Sequence, residues 1–205
     1  MNVIYEDREI EGERLELTDN KEGNYYLGPN LTLRRCTVVT RVSAGWLHIR
    51  PTRFIDCTIQ VKQELNNHDW SSAFLKGCRF TGRLTGCDFG HRLPLHWPGR
   101  ENGGIEDCDF TEARLNYCRF HGCDMRTIRL PLWPCFTLLD PIGRSRELNS
   151  VKWPERFGGV IVENLHTQPP STVAVTFHAP TIAKRYGTTP EELKAVLEKL
   201  DCVVY

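Results

Sequence analysis

Between Cys108 and Leu132 the chain reads CDFTE, ARLNY, CRFHG, CDMRT and IRLPL, five consecutive blocks of five residues. Each block opens with a small or apolar residue (Cys, Ala or Ile), continues with Asp or Arg, and places Phe, Leu or Met third. Self-similarity at a fixed period marks a repeat architecture and has to be read before anything else. Looser copies lie upstream: LRRCTV at 33–38, FIDCTI at 54–59, LKGCRF at 75–80 and LTGCDF at 84–89, each with a large apolar residue three places before Cys. Cys36, Cys57 and Cys78 are spaced by 21, as are Cys87 and Cys108.

These blocks resemble the pentapeptide-repeat family, whose unit is commonly written A-(D/N)-L-x-x. The resemblance is close over 108–132, looser over 31–95, and absent from the last 70 residues. It implies a mainly β fold, a right-handed, four-sided parallel β-helix with four units per coil, whose first and third unit positions point inward. Four fives make 20, so the observed 21 is one coil with one residue inserted, and Cys36, Cys57 and Cys78 become an internal stack. Small Cys or Ala alternating with Phe, Leu or Met fills a narrow core without large voids. About five coils are expected, roughly 20–25 Å tall at the usual strand spacing, with the acidic start, through Leu15 and Leu17, as an irregular first coil or cap. The expected division is a repeat region over 1–135 and a C-terminal α/β cap over 136–205.

Composition narrows the function. The chain has 205 residues, 26 Lys+Arg against 26 Asp+Glu, 40% hydrophobic residues and a mean hydropathy of -0.40. Such a chain can bury a core, and it is neither a strongly basic nucleic-acid binder nor a polyanion mimic through overall charge. No stretch approaches the roughly 18 apolar residues of a membrane span, and the start lacks an apolar signal core, so a cytoplasmic protein is expected. Nine cysteines, an odd number, fit a reducing compartment. Charge is uneven along the chain, -5 over residues 1–30 and +6 over 31–104, which predicts a stack polarised along its axis and suited to a complementary partner.

Two segments break the repeat count and are expected to leave the coils as loops. QELNNHDWSS at 63–72 carries His68, Asp69 and Trp70, and GHRLPLHWPGRENGG at 90–104 carries His96, Trp97, Arg100 and Glu101. Loops raised on a rigid scaffold often carry recognition, so these seven residues are the candidate partner-binding set. Downstream, 153–165 and 171–177 read as strands, a short helix is expected over 180–186, and a second begins at Thr189. There Thr189 caps, Pro190 takes the first position and Glu192 completes a capping box. CVVY is a possible final strand. TIAKRYGTTPEELKAVL at 181–197 is similar to the helical part of peptidoglycan-binding LysM modules and to some helix-turn-helix segments, which would imply glycan binding.

Cys118, His121 and Cys123 have ligand types that suit zinc. The repeat register places both cysteines inward and His121 outward, so no metal and no other cofactor is expected. No activated Cys–His pair, HExxH, GxSxG or phosphate-cradling loop appears, and no enzyme is expected. The resulting expectation is a non-catalytic protein-binding module that contacts neither nucleic acid nor membrane. It is read as a bacterial immunity-type or adaptor protein neutralising a partner such as a toxin enzyme. The alternatives are a DNA-mimic protector or inhibitor of type II topoisomerase, which the resemblance suggests, and cell-wall glycan binding through the C-terminal segment.

Overall fold

A computed structural model describes residues 2–18, 23–92 and 103–205, the side chain of Glu155 excepted. Its strands stack in three parallel sheets. One holds Val3–Tyr5, Tyr25–Leu27 and Leu47–Ile49; the second Arg8–Glu11, Leu31–Arg34, Thr52–Ile55, Ala73–Lys76 and Gly104–Glu106; the third Arg14–Leu17, Thr37–Thr40, Thr58–Asn66, Arg79–Thr85 and Asp109–Asn116. Each sheet takes one strand per turn, and together the sheets make a β-solenoid of about four turns. The first-turn strands keep the register of the turn above, Ile10 pairing with Leu33 and Leu15 with Val38; residues 19–22 of that turn lie outside the described residues.

The turn is set at its corners. In 33–36, 54–57, 75–78 and 105–108 an inward apolar residue is followed two places later by a residue with positive φ (Arg35, Asp56, Gly77, Asp107), and then by Cys. The left-handed residue folds the chain through the corner, and the next side chain points inward where only a small group fits. Each thiol then reaches the turn beneath: Cys36 Sγ donates to the Ile10 carbonyl at 3.3 Å, Cys57 to Leu33 at 3.3 Å and Cys78 to Phe54 at 3.4 Å. The expected internal cysteine stack is therefore present. A second column runs up another corner, where Cys87 reaches Leu65 at 3.6 Å, Cys118 reaches Leu84 at 3.3 Å and Cys135 reaches Leu115 at 3.6 Å. Between the columns the aromatic rings stack turn upon turn, Phe80 on Phe110 at 4.7 Å and Phe89 on Phe120 at 5.4 Å, while rings on adjoining faces meet edge-on.

Residues 63–72 do not leave the coil as expected. Thr58–Asn66 is a single strand whose ladder absorbs the extra residues as a bulge, with Val61 opposite Gly82 and Leu65 opposite Leu84. Trp70 is 1% exposed and stacks over Phe89, and His68 is 6% exposed. The expectation that His68 and Trp70 stand on an exposed loop is overturned, because both alternate inward with the strand. His68 occupies the second column: it lies three places after Leu65, follows the left-handed Asn67, and its carbonyl accepts from Asp88 N as that of Cys87 accepts from Arg119 N. The other expected loop, 90–104, falls mostly outside the described residues, which end at Arg92 and resume at Gly103. Strands of the second sheet start at residues 8, 31, 52 and 73, 21 to 23 apart, and the next, Gly104–Glu106, starts 31 later. The surplus falls between Gly90 and Gly104, which stay in register; its residues 93–102 lie outside the described set.

The fourth sheet joins the solenoid to the C-terminal part. Its order is Asp88–Gly90, Cys118–His121, Thr172–His178, Cys135–Leu139, Val203–Val204, parallel for the first pair and antiparallel thereafter. Alternate residues of Thr172–His178 serve two cores, Ala174 facing the coil interior and Val175 and Phe177 a second apolar cluster beneath the helices. Segment 153–165 is not a strand: Glu155–Val160 is helical and Val162–Thr167 a 3-10 turn. Phe157, Val162 and Leu165 bury one side of this irregular helical run, which Pro154 introduces and strand alternation would have split between two faces. Ala179–Tyr186 and Pro190–Leu197 are helices, and the Thr189–Glu192 capping box forms as expected. The strand, helix, helix, strand order of the LysM-like segment holds, yet its two strands do not pair with each other; Cys135–Leu139 lies between them.

Burial holds the His68 imidazole at a pKa of about 4, against 6.5 when unfolded, and its Nε2 has no hydrogen-bond partner. Protons therefore bind the unfolded chain preferentially between those values; this part of stability is complete above pH 6.5 and drains as pH falls toward 4. His68→Cys, which continues the thiol column, is expected to remove it. Between pH 7 and 4.5 the native protein should lose about 2 to 3 kcal/mol more than the variant in urea unfolding. Parallel losses in both would show that the imidazole does not control the acid limb.

Candidate functional site

The outward side chains fall into ladders because every turn repeats the register below it. On most faces these ladders are ion pairs. Glu9 meets Arg34 at 2.5 Å, Glu11 meets Arg35, and Glu16 lies between Arg14 at 2.7 Å and Arg41 at 3.9 Å. Higher up, Lys76 pairs with Glu106 at 2.8 Å, and Glu64 sits 3.8 Å from both Arg83 and Arg114. Glu9, Glu11 and Glu16 of the first turn thus face arginines of the second.

One face is built differently. Ile4, Tyr26 and His48 stand in register on the outside of the three-stranded sheet. The Tyr26 and His48 rings stack at 4.6 Å and 17°, the Arg50 guanidinium lies 4.9 Å over Tyr26, and Asn24 Oδ1 holds His48 Nε2 at 2.9 Å. Trp46, 48% exposed, leads into the same strand, and Ile4 is 46% exposed. Scattered exposed apolar groups are ordinary, but Trp, Tyr and Arg together are the residues that dominate protein interfaces. The backbones of Ile4, Tyr26 and His48 are fixed by the ladder and Arg50 N bonds to the Leu27 carbonyl, so this part of the face is preorganised.

None of these five was singled out from the sequence. The usable signal was the constant interval of 22 between positions 4, 26 and 48. Of the seven residues that were singled out, His68 and Trp70 are in the core. Asp69 bridges to Asp88 and its Oδ1 accepts from Ser71 N at 2.8 Å. His96, Trp97, Arg100 and Glu101 lie outside the described residues.

His121 is corrected as well. It was expected to point outward, and it is fully buried because Thr172–His178 lies across it. Its Nε2 meets Asp88 Oδ1 at 2.9 Å and its Nδ1 meets Thr172 Oγ1 at 3.2 Å, while Arg119 reaches the same carboxylate at 2.6 Å. With the proton on Nε2, the imidazole donates to Asp88 and accepts from the threonine hydroxyl. Burial works to raise the Asp88 pKa, but the hydrogen bond from His121 and the Arg119 charge prevail and hold it below the usual range. Thr, His and Asp are hydrolase-triad types, yet Thr172 is 3% exposed and His121 has no exposed surface, so this cluster offers no atom to a substrate. It clasps the cap to the last two turns. With Cys118 bonded to Leu84 and His121 engaged on both nitrogens, the Cys118, His121 and Cys123 set is not assembled, and among the described residues no cluster of three metal-ligating side chains occurs.

The comparisons agree with this architecture. A family model described as pentapeptide repeats, with eight copies, matches residues 106–130. That is the stretch whose corners carry Cys108 and Cys118. Residues 106–130 are thus a pentapeptide-repeat segment within a β-solenoid of about four turns. No curated protein matches the chain. Among the described residues no helix is long and apolar enough to cross a membrane. The pentapeptide-repeat fold is typically a structural or binding scaffold.

Asp88→Ala would leave a buried imidazole and a guanidinium without their acceptor. A loss of about 3 kcal/mol or more in urea unfolding is expected, whereas Lys76→Ala, at the exposed pair with Glu106, should leave the midpoint unchanged. A small loss for Asp88→Ala would mean that apolar contacts alone hold the cap.

All nine cysteines are free and all but Cys123 are buried. Burial pushes the thiols of Cys36, Cys118 and Cys135 up, and that of Cys123 to about 12. Thiolate is the reactive form, so maleimide at neutral pH should modify Cys123 first and slowly, and all nine only after denaturation. Peptide mapping by mass spectrometry reads the order; rapid reaction at Cys57 or Cys118 would show that the coils open.

Proposed function

We propose that this β-helix is a protein-binding module that docks a partner through the outward ladder of Ile4, Tyr26 and His48 with Arg50 and Trp46. The observation that carries the reading is the contrast between this face and the ion-paired faces beside it. A protein partner gains from aromatic and guanidinium groups held in place before binding, since little side-chain freedom is then lost. The specific role proposed is that of a bacterial, cytoplasmic immunity-type or adaptor protein that neutralises its partner, for which a toxin enzyme is the leading type. Mimicry of DNA toward a topoisomerase has less support, because among the described residues Glu9, Glu11, Glu16, Glu64 and Glu106 each lie beside a base. Glycan binding by 171–205 alone has little support too, because its first strand is completed by Cys118–His121 and Cys135–Leu139.

Affinity purification of the tagged protein from its native host, with mass spectrometry of co-purifying proteins, tests the reading. A stoichiometric protein partner is expected. Trp46→Ala and Arg50→Ala should each weaken its binding tenfold or more, about 1.4 kcal/mol, without lowering the melting temperature. Full affinity in both variants would remove the ladder as the docking face.

A further inference from the structure

The last turn ends with its third face uncovered. Asp109–Asn116 is the outermost strand of its sheet, and beyond the single bridge from Asp109 to Arg129 no described residue pairs with 111–114 on the outer side. The chain nearest in sequence to fill that place is PLWP at 131–134. Pro131 and Pro134 carry no N–H to donate to a ladder, and the segment instead climbs away to Cys135, whose thiol takes the Leu115 carbonyl. What remains is a groove of about 480 Å³ between Thr111, Glu112 and Arg114 on one side and Leu132, Trp133 and His178 on the other.

The groove has chemistry as well as shape. Leu132 is 68% exposed, the most exposed large apolar side chain among the described residues, and Trp133 stands beside it with the Lys194 ammonium 5.4 Å from its ring. Arg114 opens onto the same space, its nearest carboxylate being Glu64 at 3.8 Å, while Glu112 is drawn toward Arg79 at 3.9 Å. Burial holds His178 below its ordinary pKa, with the nearby Arg114 charge adding to the effect, so the imidazole is neutral at pH 7. Arg114, which shares Glu64 with Arg83, and Lys194 over the Trp133 ring therefore flank an apolar wall and an open backbone edge, with Glu112 the one carboxylate among the lining residues. The opposite end of the solenoid lacks that wall: the first-turn strand Arg8–Glu11 is charged at three of its four positions, a common device against strand addition.

We infer that this groove accepts an extended acidic peptide as an added strand, with apolar side chains against Leu132 and Trp133 and alternate carboxylates toward Arg114 and Lys194. Main-chain bonds to the open edge supply affinity, and the alternation supplies specificity. The inference does not depend on the aromatic ladder, which lies on another sheet.

Fluorescence anisotropy on the full chain tests it with three fluorescein-labelled octapeptides: alternating Val–Glu, alternating Val–Lys, and Val–Glu methylated at alternate backbone nitrogens. The acidic peptide is expected to bind at least tenfold tighter than the lysine peptide, and methylation to weaken it at least tenfold. Leu132→Asp, at an exposed position, should abolish binding with an unchanged melting temperature, and Arg114→Gln should narrow the gap between acidic and basic peptides. Absence of binding by the acidic peptide, or equal binding to Leu132→Asp, overturns the proposal. Conversion of a dimer to a monomer by Leu132→Asp in sedimentation also overturns it, since the groove would then hold a second copy of this chain.

Discussion

Each turn of the solenoid depends on a corner at which a left-handed residue swings the chain and the next side chain drops inward over a carbonyl of the turn beneath. The space there admits a thiol and little more, which is why Cys recurs at 36, 57, 78 and 108 and again at 87 and 118. A longer side chain would push the turns apart, and a smaller one would leave a void with lost contacts on every side. Glycine serves where even a Cβ is too much: at Gly82, φ +99, a Cβ would lie 2.0 Å from the Val61 carbonyl oxygen. His68 is the exception that occupies the same corner with a ring, and its cost appears as an imidazole kept neutral without a partner on Nε2.

Fixed corners impose fixed register, and register turns single residues into ladders. The stabilising interior ladder is aromatic, with Trp70, Phe89 and Phe120 successive layers of one stack. The exterior ladders decide what the surface can do. Where an acid lies one turn below a base, the pair neutralises itself, and exposed pairs of this kind contribute little stability. Where Ile4, Tyr26 and His48 coincide, the surface stays apolar and open. A repeat of 21 or 22 residues therefore determines not only the core but also which outward positions act together.

The fold was legible where the repeat is strict, since 108–132 states the period and the inward positions directly. The thiol column through Cys36, Cys57 and Cys78 was legible for the same reason. Residues 63–72 misled because an insertion in the count looks the same whether it leaves the coil or is absorbed as a bulge; only the ladder opposite Gly82 and Leu84 distinguishes them. His121 misled because its outward register is correct for an uncovered coil, and the strand that buries it lies 51 residues further along the chain. The 153–165 segment read as strands from its Val and Ile content, whereas Pro154 and the burial of Phe157, Val162 and Leu165 make it helical. The outward aromatic face escaped notice because its members are 22 residues apart and none is unusual alone.

A solenoid has to be stopped, and the way this one stops shapes its surface. One face of the final turn is closed by Thr172–His178, laid antiparallel on Cys118–His121 and pinned by the Asp88, His121 and Thr172 contacts. That strand must also pair with Cys135–Leu139 on its other edge, so it cannot turn the corner to cover the neighbouring face. The chain between the two, with prolines at 131 and 134, cannot cover it either. The uncovered strand at 111–114 is thus a direct consequence of how the cap is attached: the residues that seal one face commit the backbone that would have sealed the next. An edge left open by such a constraint would ordinarily be blunted by charge, as the first-turn strand Arg8–Glu11 is. Here it is walled by Leu132 and Trp133 instead, and apolar groups kept exposed beside an unpaired strand are a liability unless something extended comes to lie there.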